Sequence, residues 1–483
     1  MKTIKYFTMA ALALLMTTAC SNDDNDMSSA EPQQAQGITI TAQLAPKEGG
    51  VTRAVVDNGD GKLTATWAEG EQIAILYDGT QTIATVKEVA GDGSATIEFE
   101  VASGTDDGTA CTLIYPASAV DNDYKLKTYN KLFATQSGQL SAELDVRVGS
   151  GTIQTTTPGL TVTTQPQPEF SIFKLTLVNT GNNELCPAEF VVSDDAGGVI
   201  TTVTQVGNPM DVLYVALPPL SAVTYWFNAT NSAGMPYIAR VSVSSATKAG
   251  KFYISTVKMA TIGDVVLSNG KFAAKGTDNE QAVIAYIGSV EMYFKHFLAI
   301  APEDASSDML SLDYAHAAVS SYACNHAISF GGETYDAAIS TCYDQVKDNA
   351  NESSATAPSL TQGWRLPSVT DLRYIFDGLG HIKGGMTLFA KQYDGETYST
   401  DARPTIPNGI CEAMLYRYDN DGVSLRKSIN SACDNEALVS DLYWFSSKVS
   451  SETNAAWAYD FGQGYFTKCN NLDTYHVRPV FAY

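Results

Sequence analysis

Ala95-Thr96-Ile97-Glu98-Phe99-Glu100-Val101 alternates apolar and polar side chains without interruption. A period of two sends Ala95, Ile97, Phe99 and Val101 to one face and Thr96, Glu98 and Glu100 to the other, the pattern of a strand with one face in a core and one in water. Similar runs recur at Ile73–Tyr77, Thr82–Val86, Phe170–Val178, Val212–Leu217, Tyr237–Val243 and Phe252–Val257. Asn58-Gly59-Asp60-Gly61, Asp92-Gly93, Asn182 and Pro218-Pro219 punctuate them as turns. Many short strands without helical periodicity between them predict antiparallel β-sandwiches. A Thr- and Pro-rich run, Thr155–Pro168, divides the region, and Gln165-Pro166-Gln167-Pro168 within it reads as a linker. The expected units are sandwiches at 38–160 and 161–262.

Beyond Met259 the periodicity changes. Leu312, Ala315, Val319, Tyr322 and Ala323 fall at helical spacing after Ser311, a candidate cap. A second helix is expected after Ser368, with Asp371 as the acidic member of a capping box and Leu372, Ile375, Phe376 and Leu379 as one apolar stripe. Gly378 and Gly380 are read as its end. Strand-like segments follow at Leu442–Phe445, Ala455–Phe461, Tyr465–Cys469 and Tyr475–Ala482. Residues 263–483 therefore read as an α+β domain, so the chain is mainly β: two antiparallel β-sandwich domains followed by an α+β domain.

The formal net charge of −23 and a pI near 4.5 argue against nucleic acid and anionic lipid as partners, because phosphate binding needs a basic surface. Cys111, Cys186, Cys324, Cys342, Cys411, Cys433 and Cys469 include no C-x-x-C pair, and no histidine sits at a zinc-like interval from them. No metal and no cofactor is expected. A Cys411–Cys433 bridge and buried, unpaired thiols remain open alternatives.

The chain opens with Lys2 and Lys5, an apolar run from Phe7 to Met16, and Thr17-Thr18-Ala19-Cys20 followed by Ser21-Asn22-Asp23-Asp24-Asn25-Asp26. The apolar run is too short to span a bilayer and reads as a cleavable signal peptide, residues 1–19. The segment resembles a bacterial lipobox, with Thr17 where Leu is usual, and the acidic stretch resembles the surface-export signal of Bacteroidetes lipoproteins. The resemblance implies a lipid on Cys20, an acidic flexible tether at 20–37, and a surface-exposed place on the cell outer membrane.

Val51-Thr52-Arg53-Ala54, Trp67-Ala68-Glu69-Gly70-Glu71-Gln72-Ile73 and Ala249-Gly250-Lys251-Phe252-Tyr253, in this order, resemble the fimbrillin family of Bacteroidetes pilus subunits, whose sandwiches are transthyretin-like. Subunits of that family are held as lipoproteins until a trypsin-like protease cuts after an arginine, removing the first strand and opening a groove that a neighbour's strand fills. Here the resemblance implies Ile38–Leu44 as the first strand and Arg53-Ala54 as the processing site, Arg53 being the only basic residue between Lys47 and Lys62. An exposed loop arginine is the alternative. Other pilus subunits are the implied partners, and the fimbrium is the implied location after processing.

Gly363-Trp364-Arg365-Leu366-Pro367-Ser368, Tyr443-Trp444-Phe445-Ser446-Ser447, Ala456-Trp457 with Phe461, and Val477-Arg478-Pro479-Val480 resemble the C-type-lectin-like fold, in the branch that includes sulfatase-modifying-factor relatives. Long insertions between the two helices and before Cys433 depart from it. The matching tryptophans and arginines of that fold are structural, so Trp364, Trp444, Trp457, Arg365 and Arg478 are expected inside, the arginines paired with carbonyls or a carboxylate. Ligand contacts are expected instead from loop residues Tyr393, Tyr398, Tyr416, Tyr418, Asp419 and Asp421. Asp419-Asn420-Asp421-Gly422 resembles part of a calcium loop, but Arg417 stands where its first carboxylate should be. His296, His316, His326, His381 and His476 share no motif with a nucleophile, so no enzymatic activity is expected. The expected function is a fimbrial tip adhesin, since the last strand-like segment belongs to a folded domain rather than serving as a donor strand. The alternative is a non-polymerising surface lipoprotein that binds a host glycan or protein.

Overall fold

The computed structural model describes residues 37–47, 56–57, 63–205, 207, 209–288, 294–330, 332–338, 345–346, 362–379, 441–449, 455–461 and 465–483. Among them the protein is mainly β.

The first unit is one antiparallel sheet of seven strands: β1 (Ile38–Leu44), β2 (Gln72–Tyr77), β3 (Thr80–Val89), β4 (Ala95–Val101), β5 (Thr109–Tyr115), β6 (Arg147–Gln154) and β7 (Gly159–Pro168), in the order β1-β4-β3-β2-β5-β6-β7. Alternation in β4 does what its sequence predicts: Ala95, Ile97, Phe99 and Val101 are buried, and Glu98 and Glu100 are exposed. They meet Ile40, Leu44, Trp67, Ile73, Ile75, Val86, Leu113 and Ile153 in one core. Each large apolar side chain so buried contributes about 1.5–3 kcal/mol. The sheet curls until its terminal strands approach each other, and the Ala45 amide donates to Gln165 Oε1 at 3.1 Å.

The expected linker is a strand. Gly159–Pro168 pairs antiparallel with β6, with register shifts after Val162 and Thr164, so the first unit extends through Pro168 and the boundary at 160 is corrected. Proline is tolerated there because β7 is an edge strand, where a missing N–H costs no ladder bond. The hairpin also needs Gly149 and Gly151: a Cβ on Gly149 would sit 2.6 Å from the Thr164 carbonyl oxygen, and one on Gly151 2.8 Å from that of Thr161.

In the second unit, β8 (Ser171–Asn179), β9 (Pro187–Asp194), β10 (Val199–Thr204), β11 (Val212–Leu217), β12 (Thr224–Asn231), β13 (Pro236–Ser242) and β14 (Phe252–Thr261) run in the order β11-β8-β14-β13-β12-β9-β10, and Thr135–Gln136 adds an eighth strand beyond β10. β14 joins the two layers, pairing with β8 through Met259 and with β13 at Ala260 and Thr261. The layers enclose Leu175, Leu177, Phe190, Val192, Leu213, Phe227 and Met259. Two pairings are parallel, β8 with β14 and β10 with Thr135–Gln136, so the unit is not purely antiparallel.

The units share cores. Phe133, Leu144 and Val146 pack with Ala74 and Ile114 of the first sheet and Ile172 and Ala216 of the second. Gln136 completes this junction: its Nε2 donates to Ala216 O at 2.8 Å, and its Oε1 accepts from Ala216 N at 2.9 Å.

The third unit is α+β. A six-stranded sheet has the order Phe272–Ala273, β15 (Val265–Leu267), β16 (Glu280–Ile287), β17 (Phe297–Ile300), β22 (Val480–Ala482) and β18 (Gly363–Arg365). A second sheet is made by Gln345–Val346, β19 (Leu442–Val449), β20 (Ala455–Asp460) and β21 (Tyr465–Asn470). Both faces of the six-stranded sheet are covered. Val283, Ala285, Val480 and Ala482 pack with Leu372 and Ile375 of α2 (Val369–Gly378) and Leu379 at its C-cap, while Ala282, Ile284 and Phe481 pack with Tyr322 and Ala323 of α1 (Leu312–Asn325).

The capping box forms as expected. Ser368 Oγ accepts from Asp371 N at 3.1 Å, and Asp371 Oδ2 accepts from Ser368 N at 2.9 Å. Ser311 occupies the cap position of α1, but its side chain makes no cap hydrogen bond. Gly378 is the last residue of α2, as expected, and there the helix backbone closes on Ala285 O and leaves no room for a Cβ. Trp226, Ile238 and Ala260 of the second unit enter the same core as Val266, Phe297 and Tyr483, so the second and third units are not separable bodies.

Candidate functional site

Among the described residues β1 is hydrogen-bonded along one edge, to β4, in a register from Ile38 opposite Val101 to Leu44 opposite Ala95. Ile40, Ala42 and Leu44 are buried against Phe99, Ile97 and Ala95, and Thr39, Thr41 and Gln43 are exposed. Its other edge faces β7 across a groove of about 690 Å³, lined in part by Thr41, Gln43, Asp107, Thr156, Pro158 and Leu160. Withdrawal of β1 would leave two deficits at once, an unpaired row of backbone groups on β4 and an open apolar trough.

Three residues beyond β1 the chain buries a charge. Lys47 Nζ lies 3.9 Å from the centroid of the Trp67 ring and 3.8 Å from that of Tyr115, two rings set edge to face at 83°. It donates to Glu71 Oε2 at 3.2 Å and stands 3.9 Å from Asp145 Oδ2. Tyr115 Oη donates to Glu71 Oε1 at 2.8 Å, and the Ala68 amide donates to Glu71 Oε2 at 3.2 Å. Arg147 Nε holds both oxygens of Asp145 at 2.9 Å. Trp67 Nε1 donates to Ala45 O at 3.0 Å, which pins the backbone between β1 and the lysine.

Burial lowers the Lys47 amine to about 8, while the carboxylates of Asp145 and Glu71 hold it up against a larger fall, so at neutral pH the cage encloses an ammonium. The same burial, with Glu71 alongside, raises the Tyr115 phenol, which stays protonated and free to donate. The arrangement is a cation receptor whose occupant comes from the segment that follows β1. Its walls include Trp67 and Glu71, both within the Trp67–Ile73 motif, whereas Lys47 served in the sequence only as a landmark beside Arg53.

The residues expected to carry processing and ligand contact, Cys20, Arg53, Ala54, Tyr393, Tyr398, Tyr416, Tyr418, Asp419 and Asp421, lie outside the described residues. So do the Asn58–Gly61 turn, Gly380, Cys411 and Cys433. In the third unit Trp364 and Trp444 are fully buried, their indole N–H groups donating to His326 O at 2.9 Å and Leu310 O at 2.6 Å. Arg365 Nη2 meets Asp371 Oδ1 at 2.5 Å, tying the arginine to the capping-box carboxylate. Arg478 Nη1 donates to Ala301 O at 3.3 Å, and its Nε stands 2.7 Å from Asp304 Oδ1. These groups hold the fold together.

His296 is buried, stacked on Trp226 with centroids 4.1 Å apart, and burial lowers its pKa to about 4. Among the described residues no group of three or more His, Cys, Asp or Glu is arranged to hold a metal ion, and no helix is long and apolar enough to cross a membrane.

No family model matches the chain, and no curated protein matches it. Solved structures do align with it. A fimbrial protein from Bacteroides ovatus is 13% identical and covers 92% of this chain and 99% of its own, with a TM-score of 0.24. A fimbrial assembly protein from Parabacteroides distasonis is 11% identical and covers 46% of this chain and 91% of its own, with a TM-score of 0.26. Neither likeness is close enough to assign the chain to a family.

Proposed function

We propose that this chain is a fimbrial subunit that exchanges β1 for a strand of a neighbouring subunit, and that its third unit serves adhesion. The observation that carries this reading is the position of β1. It is an edge strand, bonded to one neighbour, contributing alternate side chains to the core, and it precedes Arg53 closely enough for one cut to release it. β-Augmentation then restores both deficits, since an incoming strand re-pairs β4 and refills the trough. In this reading the lipid on Cys20 tethers the precursor to the outer membrane, and cleavage after Arg53 removes tether and strand together.

Val480–Ala482 is paired on both edges, with β17 and β18, so this segment is no spare strand for a neighbour. In this reading the adhesive surface includes the segment Tyr393–Asp421, which carries the ligand contacts expected from the sequence. No catalysis is assigned to the chain.

Limited trypsin treatment followed by N-terminal sequencing tests the reading directly. The expected result is a new terminus at Ala54 and multimers when cognate subunits are added; an intact chain, or a cut chain that recruits no subunit, sinks it. The non-polymerising surface lipoprotein would then stand. A glycan and matrix-protein array with the full chain tests adhesion. A fragment starting at 263 would uncover the core shared with Trp226, Ile238 and Ala260.

A further inference from the structure

We propose that the Lys47 cage is the specificity pocket of the strand acceptor: a strand that replaces β1 must carry a lysine three residues after its last inward-facing side chain. The inference rests on the strand-exchange reading and adds the chemistry of the partner to it. In the intact chain the buried cluster is balanced, Lys47 and Arg147 against Glu71 and Asp145. Loss of the segment ending at Arg53 takes Lys47 with it and leaves two carboxylates against one guanidinium, in a site where the Glu71 and Asp145 side chains are 3% and 1% exposed. Uncompensated buried charge is far more costly than a lost apolar contact, so an apolar strand without a cation fills the trough and still leaves the cage unsatisfied.

The geometry further selects the kind of cation. Lys47 Nζ is nearly equidistant from two rings set almost perpendicular to each other. A compact ammonium can face both ring planes at once, whereas a planar guanidinium can lie flat on only one. Spacing is set by the bond from Trp67 Nε1 to Ala45 O, which fixes where the chain leaves the sheet. The partner segment is therefore an extended strand of alternating apolar residues, with lysine three residues past its last inward-facing side chain, as Lys47 follows Leu44.

The test uses the full chain cut with trypsin and fluorescent peptides of residues 38–48, in native form and with Lys47→Gln or Lys47→Arg. The native peptide is expected to displace the resident strand, with the Gln peptide weaker by roughly 100-fold and the Arg peptide by roughly 10-fold. In the Glu71→Gln chain the preference for the native peptide over the Gln peptide should shrink, which a merely structural lysine would not produce. Equal binding of native and Gln peptides overturns the pocket. If no peptide of any sequence enters, strand exchange itself has failed. The cage is then judged in the uncut chain, where Lys47→Gln should speed hydrogen exchange of the β1 amides by roughly 100-fold. Unchanged β1 protection there overturns the cage independently.

Discussion

The first and last described strands are paired in opposite ways. β1 is bonded to β4 alone, and its far side opens on a groove; β22 lies between β17 and β18, with Val480 and Ala482 in one core and Phe481 in another. A strand at an edge can leave and be replaced while the sheet behind it persists. An interior strand cannot, because its removal breaks two ladders and two cores together. The charges nearby follow the same division: the Lys47 cage joins a segment ahead of the proposed cut to one behind it, whereas Arg365 and Asp371 lie six residues apart in sequence.

The comparison breaks first at β22. Phe481→Ala empties a fully buried site between helix and sheet and should cost about 4 kcal/mol, read as a lowered urea midpoint for the joined second and third units while β1 protection is unchanged. Acid should act on the same side of the molecule. The unfolded chain takes up a proton at His296 near pH 6.5, whereas the folded chain resists until about 4. The stabilisation is therefore complete above 6.5 and is lost as pH falls toward 4, by up to about 3 kcal/mol. His296→Phe should flatten that part of the stability profile in calorimetry; a profile unchanged by the substitution would remove the histidine from the account.

A smaller effect should be local to β1. Ile40→Val removes one buried methylene and should cost about 1 kcal/mol, seen as faster exchange of β1 amides ahead of any change in the rest of the first sheet. If the whole sheet loosens in step, β1 is no separable element. Smallest of all, Thr41→Lys at an exposed position of β1 should change stability by less than about 0.5 kcal/mol in the same urea measurement.

Local chemistry was legible wherever one period or one short motif sufficed. The alternation in β4 and the Ser368–Asp371 capping box are determined by neighbours within a few residues, and both form as the sequence predicts. β7 was illegible because Pro166 and Pro168 interrupt the strand pattern, and only its place at the sheet edge makes them harmless. Gly378 ends α2 as its sequence predicts, but the close approach of Ala285 that also requires a glycine there comes from another element. Lys47 gave no sign of burial, since a lysine before a turn is ordinarily solvated.

By itself, the sequence determined strands with clean alternation such as β4, the two helices and the order of the β and α+β regions, because alternation, helical stripes and caps are properties of contiguous residues. Only the tertiary structure decided which strands lie at a sheet edge, which residues belong to no single unit, and that a lysine beside the first strand sits between two rings and two carboxylates. Those outcomes depend on groups that meet only when the sheet curls, and the cost of burying their charge arises only once water has been excluded.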